Sequence, residues 1–308
     1  MVRVLVLGAT GFLGRHVVRH ARRLGCELSL ASRRLGHDLA NADGCSRLLD
    51  QVRPEVIVNC AADMGGVVDA ARRPAAMLTT NARLLVNLYE AVGAVCPQTT
   101  IVQPVSNSAY PGDAALQREP DWRDGPVHDS VLPFAPTRRL LYALAACYRD
   151  QYGVRSVNWL VPNAYGPGDD IDPTRVHALN GMIIRMLKTR RRGERRFTIW
   201  GSGRPVREWC YVGDIAKILL TSWDRDDQID PVNIAQRQGH SINVIARLIV
   251  EELGGGVELS HDLGYPDGAP TKILDDELFR ERFPDFRFTS LADGIRRTIR
   301  YYRQVLFR

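Results

Sequence analysis

The chain of 308 residues is long enough to bury a full core, as two lobes or one large α/β unit. Apolar residues at 45% and charged residues at 25% match ordinary soluble proteins and exclude disordered or collagen-like chains. The formal charge of +6 rests on dispersed arginines, with Lys188, Lys217 and Lys272 the only lysines, so the charge balance points to no nucleic-acid partner.

Taken in order, Val2–Leu7 reads as a strand, Leu13–Leu24 as a helix, and Glu27–Ala31 and Val56–Cys60 as strands. Ala75–Val92 follows as a helix, Thr100–Val105 as a strand, Thr137–Tyr152 as a helix and Ser156–Val161 as a strand. Alternation of this kind predicts a doubly wound parallel sheet with helices on both faces. After Gly166-Pro167-Gly168 it loosens into a helix near His177–Lys188, a strand Phe197–Trp200, and helices near Ile242–Leu253 and Leu291–Tyr302. The pattern divides the chain into residues 1–165 and a smaller, partly interleaved C-terminal lobe, 166–308, of which roughly 212–240 returns to the first lobe.

The run Arg190-Arg191-Arg192-Gly193-Glu194-Arg195-Arg196 reads as a solvated loop. The cysteines, Cys26, Cys45, Cys60, Cys96, Cys147 and Cys210, are scattered without a C-x-x-C pair, so neither a metal site nor a disulfide framework is expected. No apolar run reaches the roughly eighteen residues of a membrane span, and Met1 leads directly into a strand. The expected setting is the cytoplasm, with no membrane partner.

The strongest chemical signal is Gly8-Ala9-Thr10-Gly11-Phe12-Leu13-Gly14, which follows the first strand and opens a helix. In that context Gly8 permits the tight turn, Gly11 lets the backbone approach a pyrophosphate, and Gly14 lets helix and strand pack closely, with the helix N-terminus facing the anion. This is the dinucleotide turn of a Rossmann lobe. The second strand ends in Ala31-Ser32-Arg33-Arg34, where an acidic residue would bond a ribose 2′-hydroxyl and arginine accommodates a 2′-phosphate. Arg33 and Arg34 with no carboxylate argue for NADP(H).

Further motifs run along the chain: Asn59-Cys60-Ala61-Ala62-x-x-Gly65-Gly66, Asn81, Ser106-x-Ser108-x-Tyr110-Pro111 and Pro162-Asn163-x-Tyr165-Gly166-Pro167-Gly168-Asp169. Two more follow, Trp200-Gly201-Ser202-Gly203-x-Pro205-x-Arg207-Glu208 and Pro266-Asp267-Gly268-x-Pro270-x-Lys272-x-Leu274-Asp275. Together they resemble the extended short-chain dehydrogenases/reductases (NAD-dependent epimerase/dehydratase family), and within them the GDP-L-fucose synthase family, over nearly the whole chain. Such enzymes epimerise a GDP-linked 4-keto-6-deoxy sugar at two carbons and then reduce its ketone with NADPH. The resemblance implies that Thr10, Phe12, Leu13, Asp38, Ala61, Ala62, Asn81, Pro162 and Asn163 lie along the cofactor. It places Asp63 and Asn163 at the substrate, and Arg185, Trp200, Arg207 and Lys272 around its nucleotide diphosphate. Relatives commonly pair through two long helices, so a homodimer through Ala75–Val92 and Thr137–Tyr152 is expected.

The resemblance breaks at the chemistry. Family members use a Ser and a Tyr-x-x-x-Lys pair on the carbonyl, and a cysteine and a histidine for the epimerisation protons. Ser106 matches the serine and His177 the histidine. Phe134 stands at the tyrosine position, Arg138 at the lysine position and Ser108 at the cysteine position. Phenylalanine has no proton to give, and general acid catalysis is worth about 10²–10⁴-fold. Arg138 can hold ribose hydroxyls but stays charged, and a serine hydroxyl is a far weaker acid than a thiol. His177 is the better substitute acid; Asp63, Ser108, a substrate hydroxyl or water are alternatives. The residues therefore point to an atypical NADPH-dependent ketoreductase acting on a keto sugar nucleotide or related carbonyl metabolite, with double epimerisation lost or much reduced. Two other readings stay open: a redox-neutral rearrangement or elimination, and a cofactor-binding regulatory or scaffolding subunit without catalysis.

Overall fold

A computed structural model describes residues 1–224, 228–265 and 267–307. The first half contains β1 (Arg3–Leu7), α1 (Phe12–Arg23), β2 (Glu27–Ala31), α2 (Ala42–Val52), β3 (Val56–Asn59), α3 (Val67–Arg72), α4 (Pro74–Val95), β4 (Thr100–Ser106), β5 (Leu116–Gln117) and α5 (Ala135–Tyr152). There follow β6 (Arg155–Val161), β7 (Asn163–Tyr165), α6 (Ala178–Arg191), β8 (Arg196–Trp200), β9 (Val206–Tyr211), α7 (Val212–Leu220) and β10 (Gln228–Asn233). The chain ends with β11 (Gly239–Ser241), α8 (Ile242–Glu252), β12 (Glu258–Asp262), β13 (Thr271–Leu274), α9 (Glu277–Arg282) and α10 (Leu291–Leu306).

Strands β1, β3, β4 and β6 are almost continuously buried, as strands covered on both faces by helices must be. With β2 and β10 they form a six-stranded sheet, ordered β10-β6-β4-β3-β1-β2, in which every pairing is parallel. The chain is thus a Rossmann-type α/β protein. The order reverses between β1 and β3, and at such a switch point the carboxyl ends of the strands open a crevice for ligand. A second sheet, β11-β9-β13-β5 with β7 added on β9, and the parallel pair β12-β8 make up the remainder.

One core lies under α1 and α7, where Val17, Val18, Ile215 and Leu219 pack on Val4, Val58 and Trp159. On the other face Leu88, Tyr89, Val92 and Ala145 pack on Leu5, Leu7, Ile57 and Ile101. Among those apolar residues runs a polar seam: Asn59 Nδ2 donates to Gln103 Oε1 at 3.2 Å, and Gln103 Nε2 donates to Tyr89 Oη at 2.7 Å and Asn158 Oδ1 at 3.2 Å. Breaking such a buried network leaves desolvated groups unpaired, so it specifies the register of β3, β4 and β6. A third core joins α6, α8 and α10 to β8 and β9.

Several elements escape the sequence pattern. Helices α2 and α7 and strand β10 lay outside the expected elements, although β10 completes the central sheet. Helix α6 runs through Arg191, so Arg190 and Arg191 are helical and not in a loop; Arg190 Nη1 donates to the carbonyls of Leu253 and Gly255. Phe134 is the N-cap of α5 and not a helical residue, because Pro136 favours the first turn and Gly153, at φ +73°, ends the helix in the left-handed region. Among the described residues no helix is long and apolar enough to cross a membrane.

The two halves of the site are tied by His16 of α1, which is buried and whose Nε2 lies 2.8 Å from the carbonyl of Pro167. Burial lowers its pKa to about 4, although the Pro167 bond acts in the opposite direction, so the folded chain keeps the ring neutral with Nε2–H as donor. The unfolded ring takes up a proton below about pH 6.5, so this contribution is complete above that pH and is lost as pH falls towards 4. We expect the urea midpoint to fall more steeply between pH 7 and about 4.5 for the native chain than for His16→Gln, the difference reaching at most on the order of 3 kcal/mol. Parallel pH profiles for the two would remove this role.

Candidate active site

The carboxyl ends of β1, β2, β3, β4 and β6 place the glycine turn, Ser32–Arg34, Ala61–Asp63, Ser106–Ser108 and Pro162–Asn163 along one edge of the sheet. The glycines are there because nothing larger fits. A Cβ on Gly8, at φ +70°, would lie 2.6 Å from the Cys60 carbonyl oxygen, and one on Gly14 would lie 2.2 Å from that of Gly8. A Cβ on Gly11, the N-cap of α1, would approach only the Gly8 oxygen, at 3.1 Å. No side chain caps α1, so the N–H groups of Phe12 and Leu13 stay open towards an anion. Thr10 Oγ1 donates to Ser32 Oγ at 3.0 Å and joins the turn to the end of β2. Beyond it Arg33 and Arg34 are exposed and make no side-chain hydrogen bond or ion pair among the described residues. These features fit a dinucleotide carrying a further phosphate on its ribose.

Asp38 is exposed beside them, its Oδ1 accepting the N–H of Ala40. Ala61 N–H is held by Asn59 Oδ1 at 3.2 Å, and Ala62 packs in the small apolar cluster of Ala70, Met77 and Phe134. Asn81 is wholly buried, with Oδ1 accepting from Asp63 N at 3.0 Å and Nδ2 donating to the carbonyls of Asp63 and Met77 at 2.8 Å. Its amide shapes the Ala62–Asp63 turn. Arg73 grips both carboxylate oxygens of Asp63 at 3.0 and 3.1 Å and reaches on to Asp69.

At the altered positions, Phe134 is buried and its ring carries the Arg138 guanidinium 4.6 Å above its centre. Arg138 is only 4% exposed, and among the described residues its side chain hydrogen-bonds to Thr137 Oγ1 alone. Burial pulls it down to about 10, with no carboxylate among the described residues to offset the loss of water. An unpaired buried charge costs several kcal/mol, and the cation–π contact returns about 2 kcal/mol at best. The site therefore calls for an anionic or hydroxyl-rich ligand at Arg138. Ser108 sends the same message: its Oγ is buried without a partner among the described residues, at a cost of about 1–3 kcal/mol until a ligand bonds it. Ser106 Oγ accepts Ser108 N–H at 3.2 Å and keeps its own proton to donate. Tyr142 is turned away onto Trp122 and Arg123.

His177 caps the start of α6, and its ring rests on Phe12 of the glycine turn, 5.2 Å between centres. Asp169 Oδ2 accepts from His177 N at 2.9 Å and Asn180 Nδ2 at 2.9 Å, and lies 3.0 Å from His177 Nδ1. Burial works to raise Asp169, but these bonds outweigh it and hold the carboxyl below its ordinary range. An ionised Asp169 makes Nδ1 the hydrogen-bond donor and leaves Nε2 of a one-third-exposed ring open to a ligand. Asp169 was visible only as the last letter of a motif; its distance to His177 is set by the Gly166–Gly168 turn.

The C-terminal residues form a second cluster. Arg185 lies 4.1 Å over Trp200, and Tyr265, which sequence reasoning missed, stacks on that indole at 4.9 Å. Arg207 on β9 and Lys272 on β13 are register partners. Burial, and then the neighbouring guanidinium, lowers Lys272 to about 8. Pro266 lies outside the described residues. Asn163 joins the clusters: it opens β7, pairs with Trp209 of β9, and donates Nδ2 to the Glu208 carbonyl at 3.0 Å, leaving Oδ1 for a ligand.

Comparison with known proteins agrees with this architecture. The chain is 26% identical over 314 residues to GDP-L-fucose synthase 1 of Arabidopsis thaliana, covering 97% of this chain and 93% of that protein. It is 28% identical over 321 residues to dTDP-4-dehydro-6-deoxy-D-allose reductase of Streptomyces bikiniensis, covering 97% and 96%. A crystal structure of a GDP-L-fucose synthetase from Naegleria fowleri bound to NADP superposes with a TM-score of 0.89 at 21% identity, covering 98% and 93%. The model of the NAD dependent epimerase/dehydratase family matches residues 4–235, and the chain belongs to that family.

Proposed function

We propose that the chain is an NADPH-dependent reductase of the extended short-chain class that acts on a keto sugar nucleotide without the usual tyrosine. Residues 1–165, with roughly 212–240, hold the cofactor, and the remainder holds the substrate. The observation that carries the reading is the His177–Asp169 pair seated on Phe12 of the glycine turn, which puts a proton-exchanging imidazole beside the cofactor site. When bound, NADPH supplies the hydride.

Arg33 and Arg34 meet the ribose 2′-phosphate, and Arg138 gives its unused N–H groups to ribose hydroxyls. Ser106 donates to the substrate carbonyl oxygen. His177, protonated at Nε2 and steadied at Nδ1 by Asp169, delivers the proton that oxygen needs when the carbonyl is reduced. Ser108 bonds the sugar as a neutral hydroxyl and is too weak an acid to serve in epimerisation. The relatives' names, which include a GDP-L-fucose synthase and a dTDP-sugar reductase, support a nucleoside-diphosphate sugar as substrate.

His177→Ala should lower kcat about 10²–10⁴-fold while leaving the Kd for NADPH unchanged. Adding Phe134→Tyr and Arg138→Lys to that variant should recover activity, because a tyrosine acid then replaces the histidine. Turnover that is indifferent to His177→Ala would assign the proton to water or substrate. Product formation with no net change in NADPH absorbance would instead select the redox-neutral reading.

Removing both Arg33 and Arg34 side chains with alanine should weaken NADPH about 10–100-fold and leave NADH within about threefold, as expected for lost charge-assisted bonds to one phosphate. Equal effects on the two cofactors, read by fluorescence titration, would contradict the assignment.

A further inference from the structure

The register of the second sheet lines up three basic residues. Arg207 on β9 lies opposite His240 on β11 and opposite Lys272 on β13. Directly paired residues point to the same face of a sheet. The opposite face is independently identified by Gly239, where a Cβ would strike Val206 Cγ1 and Ile273 Cδ1, each at 2.6 Å. Val206 and Gly239 immediately precede Arg207 and His240, and Ile273 immediately follows Lys272, so Arg207, His240 and Lys272 share the other face. Their Cβ atoms are expected about 4.5–5.5 Å apart across each pair.

Arg207 and Lys272 put like charges side by side, which is destabilising, and the surroundings supply little relief. His240 and Lys272 make no side-chain hydrogen bond or ion pair among the described residues, while Arg207 Nη1 donates to the carbonyls of Val206 and Pro270 at 2.8 and 3.5 Å. The nearest acid that acts on Arg207, Asp267, spends its carboxylate on Ser202 N at 2.7 Å and Ser202 Oγ at 2.6 Å. Two residues along β9 on the same face, Trp209 is buried and its Nε1–H has no acceptor among the described residues. Three basic groups and an orphan donor on one partly buried face describe a receptor for oxygen-rich anions.

We propose that His240 is a third phosphate-binding group, completing with Arg207 and Lys272 a ladder that grips both phosphates of a nucleoside diphosphate. The proposal rests on the sugar-nucleotide reading above. His240 lies outside every motif quoted from the sequence, and only strand register brings it beside Arg207. With Arg207 central, one phosphate is held between Arg207 and Lys272 and the other between Arg207 and His240.

The test is calorimetric titration of the NADPH-loaded protein with GDP, using guanosine as the phosphate-free control. His240→Ala should weaken GDP about 5–30-fold, the effect of one hydrogen bond to a charged group, and leave guanosine and NADPH unchanged. His240→Arg, which keeps a donor at the position, should bind GDP at least as tightly as the native chain and so separates a lost contact from a damaged strand. GDP affinity unchanged in His240→Ala but reduced in Arg207→Ala and Lys272→Ala would overturn the role of His240 alone. A native chain that binds GDP no more tightly than guanosine would overturn the sugar-nucleotide reading and the ladder together.

Discussion

The approach of α1 to the first two central strands governs the molecule. Gly14 sits so close to the Gly8 carbonyl, and Gly8 so close to that of Cys60, that a single added carbon at either would force backbone apart. This seam sets the helix N-terminus at the sheet's carboxyl edge, and much else follows from where it stands. Phe12 becomes the surface on which His177 rests. Arg15 turns back to donate to the carbonyls of Thr10 and Gly11, and His16 reaches the Pro167 turn. The histidine proposed to deliver the proton, contributed from far along the chain, is therefore positioned against the glycine turn.

Against that frame the altered pair reads as one substitution with two parts. A phenylalanine provides a π face for a guanidinium that the fold has stripped of water. In the proposed mechanism this pair keeps a cation at the cofactor without a titratable hydroxyl, the proton comes from His177 with Asp169 at the head of α6, and the Ser108 hydroxyl, without a hydrogen-bond partner among the described residues, serves recognition.

Much of this was legible before any coordinates. Hydrophobic runs located five of the six central strands, since strands buried on both faces are apolar throughout. Strand β10 was missed because Asp230 and Pro231 interrupt its apolar run, and α2 because Asp43, Gly44 and Ser46 blur its period. The glycine turn carried its meaning in spacing alone. The bonds of Asn81 and Asp63 were not legible, because residue type does not say where a side chain's bonds are spent: one closes on backbone, the other on Arg73. Asp169, Tyr265 and His240 were invisible as site residues, because their neighbours come from other elements through turn geometry and strand register.

Helix α6 has a consequence for how this enzyme can diversify. His177 stands at its head and Arg185 about two turns on, roughly 12 Å along one rigid rod. In the proposed mechanism the arginine at the nucleotide end and the histidine that delivers the proton therefore move together. A lineage that widened its substrate range by tilting this rod would detune its own acid. New selectivity must instead be written in individual side chains along the helix and its facing strands, with the rod itself left still.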